Sequence, residues 1–261
     1  MKRLTLALAV SLSLLASQAQ AGAILHVAEA ANYTVAYALA ISDRASFDSD
    51  DVPYAVDNHA SIADNSFSRI AYYMELQSAG GQLSYAYVSM DAFATSASKI
   101  GVPTVKSGEF YQRNVSNMNV VSNVAGVVNG TGISTGSLEF WFWNYDTGSN
   151  AGVPGANGGN YDFGDSPSGS GHYGSMQVNN YGAGQTILAY NNFNTGAIGD
   201  VGLGNQLTNN PDWTFAANAG NYTIKNIEVL VLQNNVPEPA SLALLGLGLA
   251  GVAAARRKRS K

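Results

Sequence analysis

Gly132-Ile133-Ser134-Thr135-Gly136 fits the G-x-S-x-G pattern of a nucleophilic serine. Such a serine sits on a sharp strand-to-helix turn that lifts its hydroxyl clear of the sheet. Here the Asn129-Gly130 turn signal precedes and a strand pattern follows, so the match is read as chance in a Gly- and Ser-rich chain. A catalytic triad or a zinc site would need histidine close by. His26, His59 and His172 are widely separated and support neither. Calcium instead takes carboxylate and carbonyl oxygens. Asp43, Asp48, Asp50, Asp51 and Asp57 crowd one polar loop, and Asp162 and Asp165 flank Phe163-Gly164 in another. Calcium at Asp162 and Asp165 is the expectation; neither loop has EF-hand spacing, and a solvated acidic loop is the plainer reading.

A second chemistry is suggested by rings. Trp141, Trp143, Tyr145, Tyr161, Tyr173, Tyr190 and Trp213 lie close to Asn, Asp and Gly. Sugar-binding faces stack flat rings on apolar C–H faces and read hydroxyls with amides and carboxylates. These seven residues are therefore candidate polysaccharide contacts, against the alternative that they fill a core. Gly164-Asp165-Ser166 resembles the nucleophile block of GDS-type esterases. Its nearest histidine, His172, lies in the same glycine-rich loop with nothing spaced to orient it, so no catalytic residue is assigned.

Positioning these groups falls to strands. Tyr33 to Ile41 alternates with period two, placing Tyr33, Val35, Tyr37, Leu39 and Ile41 on one face. Residues 69–77 and 82–90 read as a hairpin closed by Ser78-Ala79-Gly80-Gly81. Residues 117–128 form a weaker strand region. Residues 138–145 form the strongest strand, with Leu138, Phe140 and Phe142 opposite Trp141 and Trp143. Further strands are expected at 174–180, 185–191, 213–217 and 222–232, the last with Ile227, Val229 and Val231 facing one way. Residues 146–173 read as a long Gly-, Asn- and Ser-rich loop, the kind that carries function. About nine strands with frequent turns and no fixed repeat predict an all-β, antiparallel sandwich arranged as a jelly roll.

Composition agrees and sets limits. The chain has 261 residues, 28 Gly, 14 Tyr and no cysteine, so core packing must hold it without disulfides. Its net charge is −5, but the positive charge is gathered at the ends. Between Gly22 and Val236, 6 Lys and Arg face 17 Asp and Glu, a net of −11. So acidic a domain argues against nucleic acid as a partner. At the N-terminus, Lys2 and Arg3 precede the apolar run Leu4–Leu15 and an Ala19-Gln20-Ala21 cleavage pattern. Residues 1–21 therefore read as a signal peptide for Sec export, cut after Ala21. One β domain, 22–235, follows.

The last 26 residues read VPEPASLALLGLGLAGVAAARRKRSK. Gly246 to Gly251 fits G-x-G-x-x-G, but no βαβ unit surrounds it, so it is no dinucleotide loop. Ala240 to Ala255 gives a helix of roughly 24 Å, a short transmembrane span in the inner membrane. The basic residues of 256–261 then stay cytoplasmic. Val236-Pro237-Glu238-Pro239, the apolar helix and the basic terminus together resemble the PEP-CTERM sorting signal of Gram-negative bacteria. That resemblance implies processing by an exosortase, with Pro237, Glu238 and Pro239 as the recognition element. It also implies a transient anchor at 240–255 and association with exopolysaccharide or biofilm matrix. The prolines fit this physically: they keep the segment extended and outside any sheet ladder.

Residues 138–141, 152–156, 161–165, 173–177 and 211–215 are also similar to an uncharacterised β domain of exported bacterial proteins. That domain is sometimes found beside carbohydrate-active esterase modules, and no such module is evident here. The combined expectation is a non-catalytic surface or matrix protein that binds polysaccharide. The alternative is an extracellular glycan hydrolase or esterase whose carboxylates the sequence does not pair.

Overall fold

Short runs of alternating apolar and polar side chains build two antiparallel sheets. The computed structural model describes residues 22–44, 52–103, 111–141, 174–192, 198–204 and 217–234. Its strands are β1 (Thr34–Ala40), β2 (Val56–Asp57), β3 (Phe67–Ser78), β4 (Ser84–Asp91), β5 (Tyr111–Val115) and β6 (Met118–Ser122). They continue with β7 (Gly130–Ile133), β8 (Gly136–Trp141), β9 (Gly174–Asn180), β10 (Gln185–Asn192), β11 (Asp200–Leu203) and β12 (Tyr222–Gln233). One sheet has the order β2-β1-β12-β3-β4-β6-β7 and the other β11-β10-β9-β8-β5.

The sheets face each other across one core. Tyr72 and Met74 of β3, Val88 and Met90 of β4 and Val229 of β12 meet Leu138, Phe140, Met176, Val178 and Tyr190 from the second sheet. Tyr72 packs edge-to-face on Phe140 with ring centroids 5.7 Å apart, and its hydroxyl donates to the Ile100 carbonyl at 2.9 Å. A fully buried side chain of this kind contributes roughly 1.5–3 kcal/mol. The β3–β4 hairpin turns where expected, with Gly80 at φ +70 and the Gly81 amide donating to the Ser78 carbonyl.

The sandwich forms, but its order is not a jelly roll. Jelly-roll strands alternate between sheets, whereas β8, β9, β10 and β11 run as a meander within one sheet. Short turns account for this: β9 and β10 are joined by only Tyr181–Gly184, which cannot cross to the other layer. The Asn129-Gly130 signal also does not lie between strands as a simple turn. The Asn129 side chain bonds both the amide and the carbonyl of Ser122, and Gly130 then opens β7. In β1, a bulge between Val35 and Tyr37 breaks period two. Tyr33 and Val35 therefore point outward while Tyr37, Leu39 and Ile41 enter the core.

A third, partial layer covers the outer face of the seven-stranded sheet. The short helix α1 (Gly22–His26) and the 3-10 turn Ala28–Asn32 bury Ala23, Val27 and Ala30 against Ala71, Tyr73, Tyr87 and Leu230. No helix among the described residues is long and apolar enough to cross a membrane. The expected span at 240–255 lies outside the described residues, as do residues 1–21 and Trp213–Ala216 of the expected strand at 213–217. Ala217 itself is described and is not in a strand.

Candidate functional site

Two polar arrangements stand out against the apolar core, one on each sheet. The first is the outer face of the five-stranded sheet. Because side chains alternate across a strand, the residues between core positions share this face. Ser137 and Glu139 alternate with Leu138 and Phe140, and Gln177 and Asn179 with Met176 and Val178. Across the ladder, Thr186 pairs with Asn179, and Asn191 pairs with Asp200. All seven polar side chains are at most 1% exposed. Asn179 donates to Glu139 Oε1 at 3.2 Å and to Ser137 Oγ at 3.3 Å, and Asn191 lies 3.5 Å from Asp200 Oδ2. Asp200 also accepts from the Ala217 amide, where the backbone takes φ +47. The carboxamide oxygens of Asn179 and Asn191 make no hydrogen bond, although both are buried. Strands spaced about 4.8 Å apart make this a buried lattice of amides and carboxylates.

The second arrangement is a carboxylate pair on the outer face of the seven-stranded sheet. Glu75 is paired in register with Asn226, and Glu228 with Tyr73, so the two glutamates are diagonal neighbours about 7–8 Å apart. They border a cavity of about 270 Å³ together with Gly22 and the backbone of β1 and β2. Glu75 accepts from Tyr73 at 2.8 Å and from Asn226 at 2.7 Å. Glu228 accepts from the Gly22 and Ala23 amides, each at 3.1 Å. Burial pushes the Glu228 carboxyl up, the two backbone amides partly offset this, and the Glu75 charge adds to it.

The candidates drawn from the sequence divide unevenly over these places. Tyr190 was expected at a sugar-binding face; it is instead a core residue, 2% exposed, because its position in β10 pairs with Met176 on the inner side. Trp141 ends β8 opposite Ser175. Trp143, Tyr145, Tyr161, Tyr173 and Trp213 lie outside the described residues, as do Asp162 and Asp165. Among the described residues no group of three His, Cys, Asp or Glu is placed to hold a metal. In the other acidic loop, Asp43 pairs with Lys225 at 2.6 Å and Asp57 with His59 at 2.5 Å. The G-x-S-x-G match stands between two strands, with no helix after it, and Gly136 is needed for packing. A Cβ there would lie 2.8 Å from both Met118 Sδ and Val115 Cγ2. Glu139, Gln177, Asn179, Asp200, Glu75 and Glu228 escaped the motif reading. Their signal was polar residues interleaved with core residues in a strand.

These features define a two-sheet β protein with a covered sheet face and a C-terminal extension. Residues 235–259 match the family model of the PEP-CTERM protein-sorting motif. The match includes Pro237, Glu238 and Pro239 and begins two residues beyond β12, whose last neighbour Asn234 is tied to Ser66 and Asn65. That motif implies an exported, exosortase-processed protein sorted to the cell surface of a Gram-negative bacterium. No curated protein and no solved structure matches the chain.

Proposed function

We propose that the chain is a non-catalytic surface or extracellular-matrix protein that contacts exopolysaccharide. In this reading Sec exports it and residues 1–21 are removed after Ala21. The segment 240–255 then holds it in the inner membrane until exosortase acts at Pro237-Glu238-Pro239. The sorting-motif match placed directly after β12 carries the reading. Polysaccharide contact is supported by the aromatic residues of the sequence rather than by the amide and carboxylate lattice of the five-stranded sheet, which is buried. Trp143, Tyr145, Tyr161 and Tyr173 belong to the chain linking β8 to β9, the strands that bear Glu139, Gln177 and Asn179.

The hydrolase alternative needs two carboxylates with oxygens available to substrate. The described pair nearest that arrangement, Glu75 and Glu228, accepts from the protein's own donors on all four oxygens, Glu75 from the Tyr73 hydroxyl and the Asn226 side-chain amide and Glu228 from two backbone amides.

Mass spectrometry of the C-terminus tests the sorting reading in hosts with and without exosortase. The secreted chain is expected to lack 240–261 only where exosortase is present; an intact Lys261 on secreted protein would sink it. For the ligand, Trp143→Ala is expected to weaken retention on host exopolysaccharide about tenfold with unchanged melting. Unchanged retention would remove the β8–β9 chain from the binding surface.

A further inference from the structure

The cavity on the seven-stranded sheet adjoins the residue at which the signal-peptide reading places the new N-terminus. Gly22 and Ala23 direct their amides at opposite oxygens of Glu228. Gly22 is pressed so closely that a Cβ would lie 2.6 Å from Glu228 Oε1 and 3.0 Å from Tyr73 Cε1. Glu228 is 7% exposed and Glu75 9%. Neither is ion-paired with a Lys or Arg among the described residues. Neighbouring buried carboxylates without a cation are costly, and a positive charge at Gly22 would relieve both.

We propose that Glu228 is the binding site for the chain's own α-ammonium group, created when the Ala21–Gly22 bond is cut. Hydrolysis consumes one water and leaves a carboxylate on Ala21. At neutral pH it leaves on Gly22 a protonated amine with three N–H donors where the peptide nitrogen had one. The new cation meets Glu228 on β12 and the Glu75 charge beyond it. Tyr73 of β3, Tyr85 of β4 and His26 of α1 form the stacked ring wall beside it, with ring centroids 5.1–6.5 Å apart. β1 and β2 supply only apolar lining. Signal-peptide removal thereby completes the covering layer: the ion pair fastens α1 to β12. Glycine at position 22 is explained by the same contact, since any side chain would displace the carboxylate.

The inference rests on the cleavage assigned under the proposed function, and the test separates the two. Intact mass and N-terminal sequencing of the exported chain first establish whether it begins at Gly22; another start overturns both. Acetylation of the α-amine is then followed by mass spectrometry in the folded chain and in urea, for wild type and Glu228→Gln. Each unit by which an amine pKa rises lowers the reactive neutral fraction about tenfold. The folded wild-type amine is expected to react roughly tenfold or more slowly than in urea, and Glu228→Gln to recover most of that rate. Equal rates in folded wild type and urea, or a variant as protected as wild type, would overturn the ion pair while leaving the cleavage intact. Should the variant not fold, the pH dependence of the wild-type rate decides. An apparent pKa above the ordinary value of about 8 is expected, and one at or below it overturns the proposal.

Discussion

Arg69 of β3 ties together β4, the residue before β6 and the end of the covering segment through one guanidinium. It donates to the Tyr33 hydroxyl at 3.1 Å, Asp91 Oδ1 at 3.1 Å, Ser89 Oγ at 2.8 Å and the Asn117 carbonyl at 3.0 Å. The Tyr33 and Ser89 hydroxyls in turn donate hydrogen bonds to Glu29 Oε1, and Asn119 donates to Oε2. Burial pushes the Glu29 carboxyl up. The hydrogen bonds from Ser89, Asn119 and Tyr33 and the Arg69 charge together outweigh it and hold the group below the usual carboxylate range. A depressed carboxyl contributes stability that is present above its unfolded pKa and is lost as pH falls through its folded value. Wild type should therefore lose stability as pH falls below the ordinary carboxylate value of about 4.5, and Glu29→Gln should flatten that limb of a urea-denaturation profile. Arg69→Ala should cost about 2 kcal/mol at pH 7, because it strips charge-assisted bonds from a part-buried cluster. A profile as steep in Glu29→Gln as in wild type would assign the acid loss to other carboxylates.

Among the elements, those with long apolar alternation were legible. β3, β4 and β12 run where the pattern of residues 69–77, 82–90 and 222–232 predicts, because one face of each is fixed by the core. β2, β5, β7 and β11 were not legible. They are two to five residues long, polar or Gly-rich, and borrow their strand conformation from a neighbour's ladder. The bulge at Ala36 defeated the face assignment of β1 for a related reason. One extra residue against β12 sends Val35 to the covered side with Leu230 and returns Tyr37 to the core with Val229. The site suffered most from reading residue types without faces. Tyr190 carried a binding ring's chemistry on a core position, whereas Glu139 and Gln177 looked like ordinary strand polars and belong to the buried lattice. Alternation with Phe140 and Met176 was the usable clue. Motif matching passed over it because the carboxylates and amides are adjacent only across strands.

In the whole molecule, both ends of the described chain meet β12. Glu228 receives Gly22, and six residues further on Asn234, just past the strand, is the last described residue before the sorting motif and bonds to Ser66 and Asn65. At about 3.3 Å per residue, Glu228 and Asn234 lie roughly 20 Å apart along the course of β12, an interior strand of its sheet. Only Asn235 and Val236 separate the fixed strand end from Pro237, a reach of about 10 Å for three residues. On the proposed reading, an exosortase acting at Pro237-Glu238-Pro239 after folding would work within that reach of β12. Deleting Asn235 and Val236 should draw the motif onto the Asn234 anchor and make unprocessed chain accumulate in the membrane. A six-residue Gly-Ser spacer at the same point should process at least as fast as wild type, since it frees the motif without touching β12. Immunoblots of membrane and secreted fractions over time distinguish the outcomes. Wild-type processing of the deletion would mean that the motif is read before β12 is locked into the sheet.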